Sequence, residues 1–138
     1  MGKKCYLYVS TFQNGTIAIT MAYLRNQIIS EIPEHAPFFM ILADETTDVS
    51  NTGQLCISIR FVDETCSIHE EFLGFVSLAR TTGEAVATSI LEALQTWPLD
   101  VKNCRGQGYD GASSMSSAAR GTQAFIRRKE PQTSLYAL

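Results

Sequence analysis

The chain has 138 residues, of which 45% are hydrophobic and 18% charged, and its formal net charge is −3 at pH 7. This length and composition are typical of one ordinary globular domain. The slight acidity argues against a domain that binds nucleic acid through bulk charge alone, because such domains are usually basic. No run approaches the roughly 18 apolar residues that span a membrane, so we expect no membrane-spanning helix.

The cysteines are widely spaced, and neither they nor the histidines show the spacing of a structural zinc site. The cysteines are Cys5, Cys56, Cys66 and Cys104. Scattered thiols, in a chain whose N-terminal apolar run is too short for a signal peptide, are typical of a reducing setting. We therefore expect an intracellular protein without structural zinc.

The N-terminal residues divide into two segments of different pattern. Residues 1–16 show no clear period, and Gln13-Asn14-Gly15 predicts a turn. From residue 17 to residue 32, apolar side chains recur at helical spacing, which predicts an amphipathic helix. Pro33 is expected to end it, because proline lacks the amide hydrogen that a helix requires.

Strands are predicted next. An unbroken apolar run at residues 38–43 is typical of a strand buried on both faces, and it stops at Asp44. Residues 55–62 alternate between apolar and polar side chains, which predicts a half-buried strand. Residues 68–78 predict a further strand, and the short polar connection before them predicts an antiparallel hairpin.

The C-terminal half predicts a helix, a strand and a helix. Thr81-x-x-Glu84 predicts a capping box, followed by an amphipathic helix that Pro98 closes. Residues 104–110 predict a short strand, and residues 114–129 predict a last helix. The side chains of this last helix that should face inward are Met115, Ala118, Thr122, Phe125 and Ile126.

This order of elements predicts an α/β fold with a mixed sheet. Consecutive antiparallel strands are followed by a crossover helix and then by a fourth strand that joins in parallel. We expect a single domain over residues 1–138, with a helical lead-in at 1–36 and the core at 37–130.

Acidic residues lie at the ends of two of the predicted strands. Asp44 follows the apolar run, and Asp110 follows the strand at 104–110. Ligands of open α/β sheets gather at strand ends, so these carboxylates converge if the two strands are neighbours. Convergent carboxylates suit Mg²⁺ or Mn²⁺, and a two-metal site can cleave or transfer a phosphodiester. Alternatively, each aspartate caps a helix or a turn, and Glu45 and Asp48 are weaker candidates.

The segment from Gly106 to Gly111 also spells G-x-G-x-x-G, the pattern of dinucleotide-binding turns. We do not favour that interpretation, because residues 101–105 are mostly polar and the fingerprint follows a strongly apolar strand. Glycine at these positions also permits a tight turn or the close approach of a neighbouring strand.

Other side chains carry weaker functional signals. We expect His35 and His69 to be exposed, Trp97 to be a core or lid residue, and Cys104 to be a partly buried structural side chain. The cationic cluster at residues 127–129 is interpreted as a solvated helix end or as a contact for phosphates.

At the acidic positions the chain resembles a known family. Residues 38–50, FFMILADETTDVS, closely resemble the FFSIIADETTDVS signature of hAT-family transposase-derived proteins, as in zinc finger MYM-type protein 1-like sequences. Residues 104–112, CRGQGYDGA, match the corresponding block of that family nearly letter for letter. Residues 54–63 and 70–75 resemble its second and third strands, so the resemblance covers residues 12–130.

The resemblance implies a ribonuclease H-like fold with a DDE-type acidic triad, in which the acids after the first and fourth strands hold the metal. Those positions are Asp44 and Asp110 here. It further implies DNA as a partner, Mg²⁺ or Mn²⁺ as the cofactor and a nuclear location. The family's third acid lies far downstream of these positions, and so we expect a truncated domain that does not cleave DNA efficiently.

A second hypothesis belongs to a different class of protein. In it the chain is a domesticated, non-catalytic module for contacts with proteins or chromatin. A sheet that lacks its last strand would expose an edge strand, which favours protein partners or self-association.

Overall fold

The computed structural model describes residues 3–34, 36–47, 53–109, 117 and 120–137. Its elements are α1 (Lys3–Ser30), β1 (Phe39–Thr47), β2 (Gly53–Val62), β3 (Ile68–Ser77), α2 (Gly83–Thr96), a 3-10 turn (Val101–Asn103), β4 (Cys104–Tyr109), α3 (Thr122–Lys129) and β5 (Ser134–Ala137). The chain forms two compact units, Met1–Glu31 and Ile32–Leu138. Among the described residues, no helix has both the length and the hydropathy of a membrane span.

Helix α1 accounts for the first unit, and it begins at Lys3 rather than at residue 17. The predicted turn at residues 13–15 is wrong, because these residues continue the helix. Next to them, Thr16 Oγ1 donates a hydrogen bond to the Phe12 carbonyl oxygen at 3.0 Å, one turn earlier. Glycine costs a helix about 1 kcal/mol relative to alanine, which is too little to break a ladder that no proline interrupts.

The end of α1 agrees with the sequence. The helix stops at Ser30, shortly before Pro33. Its predicted apolar face, however, is not buried, since Ile17 is 61% exposed and Leu24 is 48% exposed. The periodicity therefore predicted the helix but not the exposure of its apolar side chains.

The second unit is built on one mixed sheet with the strand order β3-β2-β1-β4-β5. Strands β1, β2 and β3 are joined antiparallel, whereas β4 lies parallel to β1 and β5 lies parallel to β4. The predicted α/β fold is confirmed, including the hairpin and the fourth strand that enters in parallel after a helix. The fifth strand was not predicted.

One face of this sheet carries the core. Alternate residues of β2 are at most 2% exposed, as the alternation predicted; they are Leu55, Ile57, Ile59 and Phe61. Their register partners on β1 share this face and include Phe39, Ile41 and Ala43, which are also buried. Helix α2 contributes further buried side chains, namely Val86, Ile90 and Leu94.

The opposite face is only partly covered. Phe72 and Phe75 of β3 are 37% and 59% exposed, and their ring centroids lie 5.0 Å apart. Their register partners on β2, Ser58 and Cys56, are half-buried. Asp44 pairs with Cys56, so its side chain belongs to this more open face.

The start of α2 differs from the predicted capping box. The N-cap is Thr82, whose side chain accepts a hydrogen bond from the Ala85 amide at 3.4 Å. Gly83 follows as the first residue of the helix, where a Cβ atom would lie 2.4 Å from the Arg120 carbonyl oxygen. The close approach is reinforced by Thr122, whose Oγ1 donates to the Gly83 carbonyl oxygen at 3.3 Å.

The last helix is shorter than predicted. Residues 120 and 121 are not helical, and α3 begins at Thr122 with Gly121 as its N-cap. Of the side chains expected to face inward, Thr122 and Ile126 are buried and Phe125 is half-buried. Met115 and Ala118 lie outside the described residues.

Candidate metal centre

Asp44 lies within β1, not at its end. The strand continues to Thr47, where it pairs with Gly53 at the start of β2. The expectation that the strand stops at Asp44 is therefore wrong, because an antiparallel partner extends β1 through polar residues. On the other side, the last described pair of β1 with β4 is Ala43 with Tyr109. Asp44 thus directly follows the last described pair of β1 with β4.

The register of β1 and β4 bears on the second acid. Ala43 and Tyr109 are register partners on adjacent parallel strands, and they immediately precede Asp44 and Asp110 in sequence. Adjacent strands in a sheet are about 4.8 Å apart. Asp110 itself lies outside the described residues, as does Asp48. The convergence of the two carboxylates stays a prediction.

On the sheet face that carries Asp44, the neighbouring strand β4 has glycines in place of larger residues. Gly106 and Gly108 pair with Met40 and Leu42, which lie on the same face as Asp44 because residues two apart share a face. Both glycines are inside β4, whereas the dinucleotide fingerprint places its glycines in the turn after a strand. They leave β4 without side chains on this face.

Asp44 is exposed, and its charge reaches the neighbouring strand. The pKa of Cys56 is raised above its ordinary value, first by burial and then by the nearby Asp44 carboxylate. Glu45, the next residue, is half-buried on the other face of β1. An exposed carboxylate is the type of ligand that Mg²⁺ accepts.

A buried polar network holds the end of β4. Gln107 and Tyr109 are 1% and 3% exposed, and Tyr109 Oη donates to Gln107 Oε1 at 2.7 Å. Gln107 Nε2 in turn donates to the Gln123 carbonyl oxygen of α3 at 3.3 Å. Burial raises the pKa of Tyr109, so its hydroxyl remains a donor. The network ties β4 to α3 through residues that directly precede Asp110 in sequence, and nothing in the sequence pattern pointed to it.

No cluster of three or more His, Cys, Asp or Glu side chains suited to a metal occurs among the described residues. The assignment of Asp44 and Asp110 as metal ligands therefore stays a prediction, and Asp110 lies outside the described residues. The oxygen donors of the two aspartates fit a hard divalent cation better than a soft one.

Away from Asp44, His69 differs from expectation. It is half-buried, its ring stacks on Phe61 with centroids 5.1 Å apart, and its Nε2 lies 2.8 Å from Asp63 Oδ2. This hydrogen bond is the largest cause of the lowered pKa of Asp63. The register pairing of Phe61 with His69 across the hairpin was the signal that could have suggested the contact.

The remaining side chains have structural surroundings. Cys104 is buried, which raises its pKa to about 11, so the structural interpretation of this thiol is supported. Trp97 is buried at the C-cap of α2. The cations at residues 127–129 are exposed in the last turn of α3, and Arg128 lies 4.9 Å over the Phe125 ring. His35 lies outside the described residues.

Comparison with known proteins identifies the family. Residues 3–121 match the family described as "ZMYM1/FAM200, RNase-like domain" (DUF4371), which confirms the resemblance to zinc finger MYM-type protein 1-like sequences. The mixed sheet of the second unit is consistent with an RNase-like domain. No solved structure matches the chain at a comparable level of significance.

Among curated proteins, the chain is 30% identical over 129 residues to the human "52 kDa repressor of the inhibitor of the protein kinase", covering 93% of this chain and 17% of that protein. The mouse protein of the same name is 29% identical over 123 residues, or 88% of this chain and 16% of that protein. A cattle "General transcription factor II-I repeat domain-containing protein 2" is 30% identical over 92 residues, or 66% and 10%. The chain thus spans about a sixth of the length of the first two relatives.

Proposed function

We propose a function from one premise: this chain belongs to the ZMYM1/FAM200, RNase-like domain family. Within it, the chain is the remnant of a DDE-type, metal-dependent DNA strand-transfer domain, and Asp44 and Asp110 supply two carboxylate ligands for Mg²⁺ or Mn²⁺. The observation that carries this proposal is the parallel register of β1 and β4, in which Ala43 pairs with Tyr109. The residue after each of these is an aspartate.

The chemistry of such a site depends on the number of its ligands. A bound divalent ion would polarise a phosphodiester and lower the pKa of an attacking water. Asp44 would hold the ion from an open sheet face on which β4 presents glycines, so a nucleic-acid backbone has room to approach. Two carboxylates alone bind a hard cation weakly, and we therefore expect these 138 residues to cleave DNA poorly by themselves.

Metal titration tests the proposal. Mn²⁺ binding, followed by electron paramagnetic resonance, should show a dissociation constant on the order of 1 mM, the weak end of protein sites. Asp44→Asn and Asp110→Asn should each abolish it, whereas Glu92→Gln, at an exposed position of α2, should leave it unchanged. Equal binding by all four proteins would refute a site at Asp44 and Asp110. Efficient metal-dependent DNA cleavage that Asp44→Ala abolishes would refute the expected inactivity.

A second candidate function is a non-catalytic module for contacts with proteins or chromatin. It is favoured by a mostly apolar pocket at the far end of β1 from Asp44. The names of the relatives, a repressor and a general transcription factor domain protein, suggest regulatory contacts and a nuclear location. Co-localisation of a fluorescent fusion with DNA in cells would test the location, and exclusion of the fusion from nuclei would contradict it.

A further inference from the structure

A pocket of about 550 Å³ lies in the second unit, where β1 begins and β2 ends. Large apolar side chains on its wall remain in contact with solvent: Phe38 is 47% exposed, Val62 49% and Ile68 72%. Met40 is the β1 residue of this pocket nearest to Asp44, four residues away, which is about 13 Å along the strand at roughly 3.3 Å per residue. It is therefore separate from the candidate metal centre.

Two of the charged groups that line this pocket, Arg60 and Asp63, already have partners. Arg60 Nη2 lies 2.6 Å from Glu70 Oε2, in an ion pair across the hairpin. The Asp63 carboxylate accepts hydrogen bonds from the amides of Thr65 and Ser67 and is 2.8 Å from His69 Nε2. These groups have little capacity left for a ligand.

Arg105 is different. Its guanidinium carbon lies 4.3 Å from the centroid of the Phe38 ring, and Nη1 donates to the Lys102 carbonyl oxygen at 2.6 Å. Within the described part of the chain, no Asp or Glu oxygen lies within 4.0 Å of this guanidinium. The ring and the backbone carbonyl hold the cation at the edge of the pocket, and among the described residues no carboxylate pairs with it.

We propose that this pocket docks a segment of a partner protein in which a bulky apolar side chain lies next to an aspartate or glutamate. The apolar side chain would fill the space between Phe38, Val62 and Ile68, and the carboxylate would pair with Arg105. Arginine binds carboxylates through two parallel hydrogen bonds, which gives such an anchor direction as well as charge. The inference gives a partner chemistry to the second candidate function and does not depend on the metal site.

Charge also argues against a nucleic acid as the occupant. The exposed Glu64 carboxylate and the Asp63 carboxylate line the same pocket, and both would repel phosphate. The wall is mostly apolar, whereas surfaces for nucleic acid are strongly basic. Repulsion by Glu64 should slightly weaken the binding of an acidic peptide. Removing the Glu64 charge should therefore strengthen binding, whereas removing the Arg105 charge should weaken it.

Peptide display on the full chain tests the proposal. A random peptide library is selected on the wild-type chain, after depletion on the double variant Ile68→Glu/Arg105→Gln. Enriched peptides should contain Leu, Met, Phe or Trp next to Asp or Glu. No enrichment over the double variant, or enrichment of peptides without a carboxylate, would overturn the proposal. Ile68 is exposed, so Ile68→Glu should change the pocket and not the fold.

Matched variants then assign the contacts, with the most enriched peptide measured by fluorescence polarisation. Arg105→Gln should weaken binding about tenfold, as expected for a charge-assisted hydrogen bond. Replacing the peptide's acid by its amide should weaken binding to the wild type equally, but not to Arg105→Gln. Glu64→Gln should strengthen binding by roughly twofold, and Glu92→Gln, at an exposed position of α2, should leave it unchanged. Equal affinity of the peptide for the wild type and Arg105→Gln would refute the pairing of Arg105 with the peptide carboxylate, whether or not the chain binds Mn²⁺.

Discussion

The buried hydrogen bond between Tyr109 and Gln107 gives a sharp test of how β4 is held. Tyr109→Phe keeps the ring and leaves no cavity, but it removes the donor that lies 2.7 Å from Gln107 Oε1. Since Gln107 is 1% exposed, water cannot replace the hydroxyl. An acceptor left unsatisfied in the interior costs about 1–3 kcal/mol. At roughly 4 °C per kcal/mol for a domain of this size, the melting temperature should fall by roughly 4–12 °C.

Urea unfolding followed by circular dichroism measures this change, with Tyr23→Phe as the matched control. Tyr23 is 62% exposed, so its variant should stay within about 0.5 kcal/mol of wild type. The double variant Tyr109→Phe/Gln107→Leu should lose less than the sum of the single variants, because both partners of the bond are then removed. A loss below about 0.3 kcal/mol for Tyr109→Phe, or strict additivity, would refute the reasoning.

Three further predictions concern positions in β1, β2 and the helices. Gly83→Ala should destabilise the second unit by about 1–3 kcal/mol in urea unfolding, because its Cβ would meet the Arg120 carbonyl oxygen at 2.4 Å. Gly15→Ala should instead stabilise α1 by about 0.5–1 kcal/mol, because a Cβ there has no heavy atom within 4 Å; equal effects of the two variants would contradict this prediction. Thr82→Ala should cost about 0.5–2 kcal/mol by the same measurement, and no loss would mean that Thr82 is not the cap. Asp44→Asn should lower the pKa of Cys56, so that site-resolved iodoacetamide alkylation begins at lower pH; an unchanged pH profile would show that the carboxylate does not act on this thiol.

Much of the sheet could be predicted from local pattern, because the order of polar and apolar side chains along a strand follows which of them are buried. The unbroken apolar run at residues 38–43 predicted a strand buried on both faces, and Ile41, Leu42 and Ala43 of β1 are all buried. The alternation at residues 55–62 predicted a strand with one buried face, which β2 has. The periodicity of a strand is a property of its own residues, so it can be recognised without knowing which strands pair with it.

Element boundaries depended on partners that local pattern does not contain. Strand β1 extends to Thr47 because β2 pairs with it there, although the residues from Asp44 onward are polar. Strand β5 exists through parallel pairing with β4, and only four residues form it. The cap of α2 is Thr82 and not Thr81, and the helix begins at Gly83, against which the distant backbone of Arg120 packs closely.

The candidate metal centre shows the same division. The sequence by itself singled out Asp44 and Asp110, since each aspartate follows a strand-forming segment and lies in a block that resembles the family. Only the tertiary structure decided that β1 and β4 are adjacent and parallel, with Ala43 opposite Tyr109. Likewise, the polar network behind β4 and the pocket around Arg105 join residues far apart in sequence. Strand pairing and side-chain packing act between distant segments, and no local pattern specifies them.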